Sequence, residues 1–326
     1  MRPRARSHLV AFTAVVAVGA ALGGAAGAQA RATEPKLTVP AATLATALTC
    51  YGEIGRGRPA PIVFAPGTGS TGAQVYVLGK GAFDAVGRPV CTVSFPDRTT
   101  ADVQVSVQYL VWAVRSLARR VGRPVAVAGV SQGGLLARMA LTYWPSLRRH
   151  VSDVVTAAAT HHGGRGSSES AARCVTEGCA PAIWQQGRNS DLMQALNDGR
   201  DETPGRLGWT TIRSSTDEVV QPTSTSRLRG AANVRIQDVC PGRQTSHLGT
   251  AVDSVTWAAL TDALRHRGPA RVSRFPDDVC DHPFGAGLDP AQTQGFLDLV
   301  AAGAGGGLTG VPVVRREPRV RAWAKR

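Results

Sequence analysis

The residues whose spacing points most directly to chemistry are Gly129-Val130-Ser131-Gln132-Gly133-Gly134. They match the pattern G-x-S-x-G. The pattern alone is common, but here an apolar run precedes it and an amphipathic stretch follows. Flanking glycines let a chain turn sharply between a strand and a helix, so that a serine hydroxyl stands clear at the strand end. The helix behind such a turn aims unpaired N–H groups at developing negative charge. The chemistry implied is acyl transfer through Ser131. Without those elements the same residues would form an ordinary Gly-rich turn.

A serine hydroxyl is a weak nucleophile at neutral pH. It needs a base, and the base needs an orienting acid. In a strand-turn-helix arrangement of this kind the order is Ser, Asp or Glu, then His. His247, His266 and His282 are the later histidines to weigh. His266 lies in a basic helix end, and His282 sits between Asp281 and Pro283. His247 lies in the small-residue segment Thr245-Ser246-His247-Leu248-Gly249, soon after a strand candidate, and is preferred. Asp217 directly follows another strand candidate and is the preferred acid, with Glu218 as its rival. Gln132 should supply one oxyanion N–H, and the loop Pro66–Gly72 the other. His161-His162 follows the next strand candidate and could wall the pocket, lie on a surface loop, or bind a metal. A metal role lacks an identifiable third ligand, so neither metal nor cofactor is expected.

The elements that must position these residues are legible as a strand and helix alternation. Apolar runs at 62–65, 90–95, 125–130 and 154–159 suit buried strands, with further candidates at 209–213 and 234–239. Residues 102–121 repeat apolar side chains at helical spacing and stop at Gly122 and Pro124. Residues 132–144 repeat the pattern and stop at Pro145, and 41–49 is helix-compatible. The alternation predicts an α/β fold: a mostly parallel sheet flanked by helices, in a single domain. Residues 163–182, rich in Gly, Ser and Cys, read as a small lid-like excursion. Residues 301–326 read as a Gly-rich, then basic, mobile tail.

Composition bounds the setting. Arg2, Arg4 and Arg6, an apolar stretch, and Ala28-Gln29-Ala30 together read as a signal peptide over 1–30, against the alternative of an uncleaved anchor. Removing those 30 residues from 326 leaves 296 and lowers the formal charge from +14 to +11. The arginines are scattered and not interleaved with aromatics, so nucleic acid is not an expected partner. A biased coding genome is the simpler source of the charge, and an anionic wall or lipid surface the other. No later segment is apolar enough to span a bilayer. Six cysteines, Cys50, Cys91, Cys174, Cys179, Cys240 and Cys280, suggest disulfides in an exported chain, with fifteen pairings open.

Several ordered stretches converge on one family. Leu48-Thr49-Cys50, Pro66–Gly72, Ser131–Leu135, Leu141–Ser146, Trp184-Gln185-Gln186, Ser215–Pro222 and the His247 loop resemble the family of Candida antarctica lipase B and its bacterial relatives. The resemblance runs from about Leu48 to Leu299. It implies the α/β-hydrolase fold, a catalytic domain over about 31–300, and a Ser131-Asp217-His247 triad. It implies an oxyanion hole from Thr68 and Gln132, with the Thr68 hydroxyl as an added donor. It places Ile183, Gln186, Val219 and Val220 around an acyl pocket. It also implies pairing of Cys50 with Cys91 and Cys240 with Cys280. Cys174 and Cys179, without counterparts, would then close a short local loop.

Three departures stand out. Val130 replaces a large aromatic, which should widen the alcohol side of the pocket. His161 stands near an expected acid. A C-terminal disulfide is missing, so a looser C-terminus is expected. The function expected is a secreted, monomeric serine lipase or esterase acting on ester or lipid substrates, including at a lipid–water interface. Medium to long acyl chains are favoured. The alternatives are a secreted acyltransferase of the same fold and a non-catalytic envelope-binding protein.

Overall fold

The computed structural model describes residues 34–164, 174–301 and 309–325. The expected signal peptide, the centre of the lid-like segment at 165–173, and the start of the tail at 302–308 lie outside them.

Short apolar runs without polar alternation form strands here because both faces of the sheet are covered. The strands are β1 (Leu48–Tyr51), β2 (Ile62–Ala65), β3 (Val90–Val93), β4 (Val125–Val130), β5 (Val151–Ala157), β6 (Gly208–Arg213) and β7 (Ala232–Arg235). Their order is β1-β3-β2-β4-β5-β6-β7. Only β1 is antiparallel, opposite β3, and every other pairing is parallel. Alternation along β2 divides the core. Val63 and Ala65 join one apolar cluster, whereas Ile62 and Phe64 join the other.

Helices α1 (Ala41–Thr46), α2 (Gly72–Val86), α3 (Val103–Val121) and α4 (Gln132–Tyr143) follow in chain order. Helix α3 starts where Asp102 accepts from the Gln104 N–H at 2.9 Å, and ends at Gly122 in the left-handed conformation. Its Val107, Leu110, Val114 and Leu117 are buried on the first cluster, together with Leu135 and Met139 of α4. Burying each large apolar side chain contributes about 1.5–3 kcal/mol. Helices α5 (Pro181–Gln185), α6 (Asp191–Asn197), α7 (His247–Val252), α8 (Ser254–Arg265) and α9 (Pro290–Ala301) follow further along the chain. Phe83 of α2 packs edge-on against Trp257 of α8 over the second cluster, with centroids 5.0 Å apart.

Several sequence expectations are corrected. The helix at 41–49 ends at Thr46, because Leu48–Tyr51 pairs with β3. The strand at 234–239 starts earlier and ends at Arg235, and 236–239 is a helical turn. The strand at 154–159 is shifted to Val151–Ala157, and that at 90–95 stops at Val93.

The expected mobile tail is docked over residues 309–325. Val314 exchanges two backbone hydrogen bonds with Cys179, and the Trp184 indole N–H donates to the Val314 carbonyl at 3.0 Å. Glu317 accepts from the Asp191 and Leu192 N–H groups, at 2.9 and 3.0 Å, capping α6. Trp323 packs on Tyr143 and Trp144 with centroids 4.9 and 5.1 Å apart. These contacts hold the segment without a C-terminal disulfide.

The cysteines pair as Cys50–Cys91, Cys174–Cys179 and Cys240–Cys280. The first ties β1 to β3 at directly opposed positions. The third closes a loop that contains His247.

Asp153 on β5 lies opposite Gly208, the first residue of β6, away from the strands' C-terminal ends. It is buried, and that burial pushes its pKa up to about 6, against the opposing pull of Ser152 and Arg88. A carboxyl with a raised folded pKa favours the fold fully below its unfolded value near ~4. That contribution is lost as pH rises through about 6. The loss is about 3 kcal/mol. Asp153→Asn should therefore flatten the urea-unfolding stability profile between acid and neutral pH and be the more stable form at pH 8. Parallel profiles for the two proteins would reject this assignment.

Candidate active site

Each candidate residue sits at the C-terminal end of a parallel strand, where open α/β sheets form their crevices. Ser131 follows β4, Asp217 lies just beyond β6, and His247 follows β7 through residues 236–246, which begin with the helical turn 236–239. Ser131 has φ 52° and ψ −121°, a left-handed conformation that a side chain adopts only under constraint. Its N–H donates to the Ala157 carbonyl at 2.9 Å, which pins the turn to β5. The neighbouring glycines are required by close packing. A Cβ on Gly133 would lie 1.9 Å from the Ala65 carbonyl oxygen, and one on Gly129 would lie 2.5 Å from the Gly133 carbonyl carbon. The elbow can therefore approach β2 and itself only with hydrogen at both positions.

The Asp217 carboxylate is almost wholly buried and receives three donors. Oδ2 accepts from His247 Nδ1 at 2.9 Å, and Oδ1 accepts from the Val219 and Val220 N–H groups at 2.9 and 2.8 Å. Glu218 makes a different contact: its Oε2 accepts from the His247 backbone N–H at 2.9 Å. The structure thus brings Asp217 to the imidazole and Glu218 to the peptide. Two further clamps join these loops. Thr216 Oγ1 donates to the Thr245 carbonyl at 3.0 Å and accepts from the Thr245 N–H at 2.9 Å. Gln237 bridges Ser214 Oγ and the Arg243 carbonyl at 3.0 and 2.9 Å.

The loop 66–71 runs from β2 to α2, whose start is capped by Thr71 and Gln74. A Cβ on Gly67 would lie 3.1 Å from the Ser131 Cβ, so the loop borders the serine. Asp97, Arg98 and Thr99 brace it, all three at positive φ. The Arg98 carbonyl accepts from the Gly69 N–H at 2.9 Å, and Thr99 Oγ1 donates to the Ser70 carbonyl at 2.8 Å. Three successive non-glycine residues in that conformation carry no sequence signature. Gln132 opens α4, so its N–H is among those without a partner inside the helix. Thr68 Oγ1 donates to Gln132 Oε1 at 2.7 Å.

Gln186 is buried at the centre of a network. Its Nε2 donates to Thr68 Oγ1 and to Gln132 Oε1, each at 3.0 Å, and its Oε1 accepts from Thr160 Oγ1 at 2.8 Å. Thr160 was not singled out by sequence, since nothing local marks a contact across 26 residues. Val130 and Ile183 are half-buried, and Val219 is exposed. Val220 is fully buried and acts through its N–H on Asp217. His161 is fully buried. Its ring contacts Thr156 Oγ1 at 3.1 Å, and its carbonyl accepts from Arg138 Nη1 at 2.7 Å. Burial, and then Arg138, hold the His161 pKa well below the ordinary value, so the ring is neutral. It packs as an interior residue.

Crossovers, strand order and the strand-turn-helix elbow are those of the α/β-hydrolase fold. No protein-family model matches the chain. It is 30% identical over 302 residues to lipase B of Pseudozyma antarctica, across 90% of this chain and 87% of that protein. The crystal structure of Aspergillus fumigatus lipase B superposes with a TM-score of 0.79 at 27% identity, covering 89% of this chain and 73% of that one. Bacillus licheniformis lipase BlEst2 in its mature form shares the fold alone, with a TM-score of 0.50 at 17% identity over 62% of this chain and 91% of that one. The chain belongs to the lipase B family of α/β-hydrolases and is a carboxylester hydrolase of the lipase or esterase type.

Proposed function

We propose that the protein is a secreted serine lipase or esterase in which Ser131, His247 and Asp217 form the triad and Thr68 and Gln132 the oxyanion hole. The observation that carries this reading is the buried His247–Asp217 bond of 2.9 Å, on the same sheet edge as the strained Ser131 turn. With the Nδ1 proton held by Asp217, the basic lone pair of His247 is on Nε2. Nε2 takes the Ser131 proton as Oγ attacks the ester carbonyl. The negative charge on the carbonyl oxygen is met by the N–H groups of Thr68 and Gln132 and by the Thr68 hydroxyl. The imidazolium returns the proton to the departing alcohol, which leaves an acyl-Ser131. Water, deprotonated by His247, then releases the acid.

Ile183 and Val219 offer apolar surface to an acyl chain, and Val130 leaves room on the alcohol side. Medium to long acyl esters are the expected substrates, without a metal or cofactor. The three disulfides and the expected signal peptide at 1–30 support an extracellular location. The test is hydrolysis of p-nitrophenyl esters from C2 to C16 by residues 31–326. Turnover with an optimum above C4 is expected. Folded protein inactive on every ester would overturn the reading, and acyl transfer to an added alcohol in preference to water would move it to a transferase.

A further inference from the structure

We propose that Gln186 is a positioning residue that directs the single proton of the Thr68 hydroxyl, allowing it to pass from Gln132 to the oxyanion as the transition state forms. The proposal rests on the oxyanion reading of Thr68 given above. It starts from the polarity of the network. The Thr160 hydroxyl donates to Gln186 Oε1 at 2.8 Å. The end of the amide is fixed on the other side, because the Ala182 carbonyl can only accept and lies 3.1 Å from Nε2. Nε2 must then face Thr68 Oγ1 and Gln132 Oε1, both at 3.0 Å, with the Ala182 carbonyl at 3.1 Å.

Because the Thr68 oxygen accepts from Gln186, its own proton must point elsewhere. At rest it points to Gln132 Oε1 at 2.7 Å. A hydroxyl engaged in that way cannot donate to substrate until the bond breaks. Breaking it would ordinarily orphan a buried acceptor, which is costly. Gln132 Oε1 is not orphaned, because Gln186 Nε2 remains on it. Gln186 therefore favours the outward turn of the Thr68 proton: one Nε2 proton, shared between Thr68 Oγ1 and Gln132 Oε1, keeps the Thr68 lone pair occupied and Gln132 satisfied, while the other serves the Ala182 carbonyl. Were the amide reversed, its oxygen would compete for that proton. The Ala182 carbonyl opposes the reversal, since it would then face the amide oxygen, and the Thr160 hydroxyl keeps Oε1 supplied with a donor in the orientation observed. Gln186 touches Thr68 and Gln132 and is only 3% exposed, so it acts through them.

The test uses kcat and KM for p-nitrophenyl butyrate in wild type, Thr68→Val, Gln186→Leu, Thr160→Val, Thr160→Ser, and Thr68→Val combined with each of Gln186→Leu and Thr160→Val. Thermal melting and phosphonate titration of active sites correct for misfolding. One neutral hydrogen bond supports up to about tenfold in rate. Gln186→Leu and Thr160→Val should each lower kcat by about that factor with KM nearly unchanged. Thr160→Ser should restore wild-type kcat. In the Thr68→Val background neither substitution should lower kcat further. Losses that multiply with Thr68→Val, or equal losses for the Val and Ser variants at 160, would overturn the proposal. Thr160 carries the test even if Gln186→Leu fails to fold. A Thr68→Val enzyme with full kcat would instead reject the Thr68 hydroxyl as an oxyanion donor, while leaving the two backbone N–H groups in that role.

Discussion

Ser131→Ala is expected to lower kcat for ester hydrolysis by about a million-fold while leaving the fold and KM nearly unchanged. The size follows from what the substitution removes. Without Oγ the proposed acyl-enzyme cannot form, and the proposed base His247 loses the proton assigned to it. The oxyanion donors and the binding surface remain, so hydrolysis should stay roughly a thousand-fold above the uncatalysed rate. The same change relieves the crowding of a side chain at positive φ only slightly, because alanine keeps the Cβ. Thermal melting should therefore shift little. Rates from p-nitrophenyl ester hydrolysis and melting curves on the same preparation test both halves. A loss of less than tenfold would remove Ser131 from the mechanism.

Asp217→Asn should lower kcat by about ten-thousand-fold, whereas Glu218→Gln should change it only a few-fold. The contrast comes from the donors each carboxylate meets. In the Asn variant the amide oxygen keeps the Val219 and Val220 N–H groups, now on Oδ1 at 2.9 and 2.8 Å. The NH2 group then faces His247 Nδ1, two donors in opposition. The ring escapes by moving its proton to Nε2, where it can no longer accept from Ser131. Glu218 by contrast accepts from a backbone N–H, and Gln retains an oxygen for that contact. Equal losses in the two variants would mean that the acid has been misassigned. The measurement is kcat at neutral pH for both, with circular dichroism to confirm the fold.

How much of this was legible in sequence depended on how local the determinants were. Strands β2 and β4 and helix α3 were readable because each is specified by its own apolar pattern and stop signals. The strand-end placement of Ser131, Asp217 and His247, and the pairing of the last two, were readable because each residue follows a strand-like run. Strand β1 was not, since its residues are only half-covered at the sheet edge and are held by partners forty residues away. Helix α2 was hidden by its glycines, which weaken helix propensity. One of them, Gly81, is explained only by tertiary contact: a Cβ there would lie 1.7 Å from the Gly287 carbonyl oxygen. The docking of the basic C-terminal segment rests on Trp323, Glu317 and Val314 meeting distant partners, while its composition suggested only solvation. The Thr160–Gln186–Thr68 chain was invisible for the same reason, because its three members come from separate loops.

The most direct test of the central claim is covalent trapping. Residues 31–326 should be titrated with a p-nitrophenyl alkylphosphonate, with release of p-nitrophenol, residual esterase activity and peptide mapping followed together. The account predicts one equivalent released, activity lost in parallel, and the phosphonyl group on Ser131. Full activity after stoichiometric labelling, or a label on any other residue, would contradict it.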